Sequence, residues 1–353
     1  MENMWWTHIR KAMDFVEEIS EKAYLGQSLL LAFPNQIPWA NELYDSVETQ
    51  LRTRNPEYRV VMLLEEDGDP ETLVLEHFCR RETRAKYRRA IGAAKFLVEQ
   101  PDCTLHSSYV WIRIVSDAAM KNWISFVSDY IQHAPKGHQK ASFILECRHI
   151  SKAPRSGKLK VIDWNTAVDT YDVFTYCALC SDSVGISNSL RPYLVELASN
   201  VCGSDVELGS ACIRQGLSFL EDPRNALKRI SETEQRSSEE PFQISLSDDA
   251  LQSKIWESQI RVAFSVIEKQ RDFYVRKYAR DISACLPVQD CFGNEISELR
   301  QVELGTLIRL VGERRVFVQS DDYDNISFLK DRRNDLAHLV PLPFSHIKRL
   351  LDR

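Results

Sequence analysis

The run Ser28-Leu29-Leu30-Leu31-Ala32-Phe33, continued by Pro34-Asn35-Gln36-Ile37-Pro38-Trp39, decides how this chain folds. An uncharged apolar run of strand length without polar alternation predicts a strand buried on both faces. The prolines turn the chain, and Leu43 and Val47 then mark one face of a helix over about Trp39 to Leu51. This strand, turn and helix unit recurs as strand Tyr58 to Leu64, helix Thr83 to Val98, strand Tyr109 to Val115 and helix Met120 to Ile131, then strands Ser142 to Cys147 and Leu159 to Ile162. Such alternation predicts a mainly parallel, three-layer α/β domain. Upstream, Trp5, Ile9, Met13, Val16 and Ile19 stand at three- and four-residue steps, the mark of a leading helix.

After Trp164 the strands stop, and Tyr171 to Cys180, Leu190 to Val201 and Val206 to Leu220 read as short helices of a small lid. Residues 231–249 (SETEQRSSEEPFQISLSDD) are polar and without periodicity, which predicts a linker. Beyond it, Trp256, Ile260, Phe264, Ile267, Tyr274 and Tyr278 stripe a long helix, Glu303 to Val311 gives a second, Ile326 to Leu339 a third with Asn325 as N-cap, and Phe344 to Leu351 a last. The expected organisation is therefore an N-terminal helix (1–24), an α/β domain (25–165), a helical lid (166–230), a linker (231–249) and an all-α bundle (250–353).

Composition narrows the function classes. With 353 residues, 44% of them hydrophobic and 27% charged, the chain can bury a core large enough to need no disulfide or metal. No apolar run reaches a membrane-spanning length, and the first residues lack the pattern of a secretory signal, so a cytoplasmic protein without a membrane partner is expected. Nine cysteines then read as reduced thiols. Only Cys177 and Cys180 have metal-ligand spacing, and no second pair follows to complete four zinc ligands. The net charge of -6 is uneven, with 17 Lys+Arg against 15 Asp+Glu in residues 251–353 and 28 against 36 before them. A polycationic nucleic-acid binder is excluded, while a basic groove near the C-terminus is compatible with these numbers.

The strand and helix order of residues 25–215 resembles the P-loop core of AAA+ and STAND NTPases. In that resemblance Ser28 to Phe33 precedes the phosphate loop, Tyr109 to Val115 is the Walker B strand and Ser142 to Cys147 the sensor strand. A phosphate loop needs glycine N–H donors, then a lysine and a hydroxyl residue at the helix start. Pro34 to Trp39 supplies none of these, and two prolines remove donors. A degenerate scaffold that binds ATP weakly or not at all, hydrolyses none and holds no cofactor is expected. Gly157-Lys158 precedes a strand and lacks the earlier glycine, so it is no phosphate loop. Asp117 has two readings, a Walker B carboxylate or a helix N-cap. Arg148 and Asp163 read as charges at strand ends.

The last part of the chain carries Arg333-Asn334-Asp335-Leu336-Ala337-His338 near the end of a helix. This run resembles the RX4-6H motif of the HEPN domain family, and Trp256 to Tyr278 and Val302-Glu303-Leu304-Gly305 resemble helices of some HEPN domains. The resemblance implies metal-independent RNA cleavage by Arg333 and His338, with Asn334 and Glu303 in support, a composite site in a homodimer, and a protein partner that regulates it, as in bacterial toxins and anti-phage defence systems. The chemistry stands without the family. Cutting RNA without metal requires activating the 2′-OH, protonating the 5′ oxygen and offsetting charge on the phosphorus oxygens. Histidine titrates near neutral pH, and arginine offers phosphate a planar fork. The two stand five residues apart, about 140° around a helix. The same residues could instead interact with the last carbonyls of the helix, and the domain would then serve as a dimerisation or RNA-binding adaptor. Asp335 and Glu303 would repel a phosphate unless they orient the arginine or histidine. Elsewhere, Arg80, Arg81, Arg84, Lys86, Arg88 and Arg89 form the densest basic run of the acidic half, readable as a nucleic-acid-contacting helix or as a solvated face.

Overall fold

The computed structural model describes residues 4–33, 37–64, 69–114, 116–134, 140–148, 158–164, 168–290 and 293–352. The chain divides into two compact units, Met1–Tyr176 and Cys177–Arg353. In the first, five parallel strands, β1 (Leu29–Ala32), β2 (Arg59–Leu64), β3 (Ser108–Ile114), β4 (Ser142–Cys147) and β5 (Lys160–Asp163), lie in the order β2-β3-β4-β1-β5. Leu30 stands opposite Leu145 and Val161, and Arg113 opposite Glu146. The strand expected as sensor, β4, lies between β1 and β3, which is a P-loop NTPase-like arrangement.

Successive side chains point to opposite faces of a strand. Leu30, Val110, Ile112, Phe143 and Leu145 therefore share one core with Val74, Leu97, Trp123 and Val127 of the helices on that side. Trp111 and Glu146 point the other way and meet Tyr44 of helix Ala40–Arg54. Helix Arg10–Tyr24 packs on the same side and buries Phe15, Val16 and Ile19. The three-layer α/β class expected from the sequence holds.

Two expectations for this unit are corrected. The helix over Thr83 to Val98 is broken into Arg81–Arg84, a 3-10 turn Arg89–Ile91 and Ala93–Glu99, with a separate helix Pro70–Phe78 before it. Gly92, at φ +79°, makes the break, in a conformation that no helical residue adopts. Asp117 is not the N-cap of the following helix. Ser116 caps it by accepting from the Ala119 N–H at 3.2 Å, and Asp117 takes the first turn, where its charge suits the helix dipole.

The second unit is mostly helical, and its extent differs from the expected domains. Helices Arg191–Cys202, Val206–Gln215, Leu217–Glu221 and Pro223–Thr233 belong with the C-terminal helices rather than forming a separate lid. Arg191–Cys202 packs along helix Asp248–Lys277, where the Asn200 amide donates to the Lys254 carbonyl at 3.1 Å and the Gln259 amide to the Tyr193 hydroxyl at 3.2 Å. The segment expected as a linker is tied down as well. Arg236 forms ion pairs with Asp205 and Glu207, and its guanidinium lies 4.6 Å from the centre of the Phe242 ring. Polar composition hid these pairs because their partners lie about thirty residues upstream. A short hairpin, Val288–Gln289 with Glu295–Ile296, also interrupts the run expected to be wholly helical.

Gly209 gives this packing a test. A Cβ at that position would lie 3.0 Å from the Cys202 Sγ and 3.1 Å from the Cys177 Sγ. Despite the better helix propensity of alanine, Gly209→Ala is expected to lower stability by about 1–3 kcal/mol, because a filled core resists an added methyl. Thermal unfolding measures it, and an unchanged Tm would show that the two thiols yield.

Candidate functional site

The helix that carries the motif runs Ser320–Ala337, beginning well before the expected start. Asn325 is therefore an interior residue and not an N-cap; its Oδ1 accepts from Arg349 at 3.0 Å. The C-terminal end is closed by the backbone. The His338 N–H donates to the carbonyls of Asn334 (3.0 Å) and Asp335 (3.1 Å), and the Val340 N–H to Asp335 at 2.9 Å. Leu339 lies between them at φ +62°, the left-handed position where glycine usually ends a helix.

This end is held firmly. The buried Leu336 offers its carbonyl to the Trp256 indole N–H at 2.7 Å, and buried Gln259 bonds both backbone groups of Leu342, at 2.6 and 2.8 Å. The chain is thus fixed on either side of His338, whose side chain is exposed.

Arg333 is half-buried and bracketed by carboxylates. Its Nε lies 3.3 Å from Glu268 of the long helix, and its Nη2 3.3 Å from Glu303, the residue before helix Leu304–Gly312. Of the expected site residues, the structure brings Glu303 to Arg333. Asn334 is exposed and contributes its carbonyl to the helix end. Glu268 escaped the sequence reading because it reaches Arg333 across 65 positions. The available signal was a carboxylate directly after buried Ile267, on the border of the apolar stripe.

A second arginine and histidine pair joins this helix, through Arg332, to His346 of the last helix, Phe344–Leu351. Arg332 Nη1 bonds the Nδ1 of His346 at 2.6 Å, and its Nη2 pairs with Asp335 at 3.1 Å. Asp335 therefore serves Arg332. Arg349 covers the Phe328 ring at 4.0 Å, and the His346 ring meets Phe328 edge-on at 5.6 Å. Burial, then the charges of Arg332 and Arg349, hold the His346 pKa below its usual 6.5, while Asp335 pulls the other way. Below pH of about 6.5 the unfolded chain takes up a proton that the folded chain refuses, so stability is expected to fall as pH drops through that range. His346→Gln should flatten this dependence; thermal unfolding between about pH 5 and 8 decides it, and parallel curves would contradict it.

In the first unit, Pro34, Asn35 and Gln36 lie outside the described residues, as does Gly157. Trp39 begins its helix at φ +44°, and the Trp6 indole N–H is shared between the Pro38 carbonyl (2.8 Å) and that of Trp39 (3.2 Å). Phe33 and Trp164, directly after β1 and β5, join Phe15, Trp5, Trp6 and Tyr176 in one aromatic cluster with ring centres 4.8–6.4 Å apart. Open α/β sheets bind ligands at this carboxyl end, and among the described residues this cluster packs there beside β1 and β5. Lys158 is committed elsewhere, to the Ser128 carbonyl and the Gln132 side chain.

Arg148 is more than a charge at a strand end. Its Nε donates to Glu146 Oε1 at 2.8 Å and its Nη2 to the Tyr44 hydroxyl at 3.1 Å. Fully buried Glu146 also accepts from Tyr44 (2.9 Å) and the Trp111 indole (2.8 Å). Burial and the neighbouring Glu146 carboxylate push the Tyr44 phenol far above its usual value. Burial works against the Arg148 charge, but Glu146 and Tyr44 outweigh it and raise its pKa. Cys177 and Cys180 are buried, and the neighbouring Cys202 thiol together with burial pushes the Cys177 thiol up. Among the described residues no three metal-ligating side chains converge.

No family model and no curated protein matches the chain. Among solved structures it is similar to a Trip13 from Rhizobiales at 11% identity, covering 64% of this chain and 90% of that one with a TM-score of 0.37. It is also similar to Cdc6p from Pyrobaculum aerophilum (12% identity, 98% and 95% coverage, TM-score 0.36) and to the ADP form of the ORC2 protein from Aeropyrum pernix (12%, 97% and 92%, 0.31).

Proposed function

We propose that the protein is a metal-independent endoribonuclease of the HEPN type, joined to a P-loop NTPase-like scaffold that does not hydrolyse nucleotide. The observation that carries this reading is the end of the motif helix: His338 is exposed and rigidly mounted, and Arg333 is held by Glu268 and Glu303 with its guanidinium half-exposed. In the proposed reaction the RNA 2′-OH loses its proton and attacks phosphorus, the bond to O5′ breaks, O5′ takes a proton, and a 2′,3′-cyclic phosphate remains. His338 moves the protons and Arg333 offsets the charge on the phosphorus oxygens. One copy of the motif supplies one histidine, so a homodimer would provide separate acid and base. The aromatic cluster at the carboxyl end of β1 and β5 supports a scaffold role for the first unit. A regulatory protein partner and a role as toxin or in anti-phage defence complete the proposal.

A second reading has its own observation. Two carboxylates already match the Arg333 charge, and together they staple three helices, as in a non-catalytic adaptor. Incubating the full chain with end-labelled single-stranded RNA in EDTA separates the two: cleavage is expected under the first reading, and binding without cleavage under the second. Light scattering on the same sample tests the homodimer.

A further inference from the structure

Residues 80–89 carry six cations and one carboxylate, Glu82, inside a half of the chain that is otherwise strongly acidic. The structure turns this run into a shaped platform. Thr83 is buried, the Tyr87 hydroxyl donates to Glu71 at 2.9 Å, and the Tyr87 ring lies 5.3 Å from that of Phe96. Arg88 Nη1 braces the turn from outside by donating to the carbonyls of Ala85 (3.0 Å) and Tyr87 (2.9 Å). With the uncharged residues used as anchors, Arg80, Arg81, Lys86 and Arg89 are left exposed, and among the described residues none of the four has a carboxylate partner. Arg84 only approaches Glu76, at 4.0 Å.

We infer that this platform is a binding surface for the sugar-phosphate backbone of nucleic acid. Four exposed cations on a fixed loop, with no ion-pair partner among the described residues, repel one another, and a polyanion with regularly spaced charges relieves that repulsion by releasing its own counterions. Three of the four are arginines, whose planar forks match phosphate oxygens. A membrane surface fits less well, because the helix that carries Arg81 and Arg84 is four residues long and, within residues 80–91, Ile91 is the one large apolar side chain exposed. Contacts to phosphate carry no sequence information, so the recognition inferred here is independent of sequence. It is also independent of Arg333 and His338.

The test uses the full chain and a fluorescent single-stranded DNA of about 20 nucleotides, which lacks the 2′-OH and stays intact, with affinity measured by anisotropy between about 50 and 200 mM salt. The platform is neutralised by Arg80→Gln, Arg81→Gln, Lys86→Gln and Arg89→Gln together, leaving Arg88 to brace the turn. Removing four phosphate contacts is expected to reduce the slope of log K against log salt by about 3, at about 0.7 per contact, and to weaken binding more than tenfold at the lower salt. A matching Tm confirms that the variant is folded. Unchanged affinity and slope would overturn the inference, and so would binding to vesicles of anionic phospholipid or to polyglutamate with none to the oligonucleotide.

Discussion

Replacing His338 by alanine is expected to reduce RNA cleavage by about 10²- to 10⁴-fold, the contribution typical of a positioned acid-base group. The fold should not register the change. His338 is exposed, and the hydrogen bonds that end its helix come from its backbone, so the Tm should move by less than about 0.5 kcal/mol is worth. Arg333→Ala should lower cleavage as well, but with a structural cost. Its two ion pairs are partly exposed, each worth about 0–1 kcal/mol, so stability falls modestly while activity falls by orders of magnitude. Arg333→Lys keeps the charge and loses the fork, and should recover stability before activity. Gel assays alongside thermal unfolding separate these effects. If Arg333→Ala changes stability and neither substitution changes cleavage, the motif is a staple and the adaptor reading takes its place.

Glu146→Ala should be the most damaging substitution for stability, at about 3–5 kcal/mol, because it removes one side of a buried ion pair. The Trp111 indole, the Tyr44 hydroxyl and Arg148 would together lose their shared acceptor. Arg113 compounds the loss: its guanidinium lies 4.6 Å above the Tyr44 ring, and its buried Nε already has no hydrogen-bond partner among the described residues. Glu146→Gln keeps an acceptor in place and should cost less. Urea unfolding reads both, and a loss below about 1 kcal/mol for the alanine variant would mean that water replaces the carboxylate.

The sheet was legible because its strands are continuous apolar runs. Ser142 to Cys147 appears in the structure with the expected bounds, even though a buried carboxylate sits inside it. That carboxylate was not legible as the centre of a network, since Tyr44 lies 102 positions away. Helix ends were harder. Asn325 looks like a cap, yet the helix starts at Ser320, where Asp321 and Asp322 supply first-turn charge and Asp322 is bound by Tyr278 and Lys277 of distant sequence. The contacts of the segment expected as a linker were hidden for the same reason, as Arg236 finds its carboxylates far upstream. In the candidate site, Arg333 and His338 were picked out from one short run, and Glu303 from the resemblance of Val302-Glu303-Leu304-Gly305 to helices of some HEPN domains. Glu268 was not, because only tertiary packing brings it to the arginine.

The central claim is that this chain cuts RNA by its own side chains through the 2′-OH. Its most direct test maps RNA ends in cells expressing either the wild type or His338→Ala, where any activating partner is present. The account predicts new ends bearing 2′,3′-cyclic phosphate with the wild type and none with the variant. Equal ends in both, or wild-type cleavage in lysate that stops on adding EDTA, would contradict it.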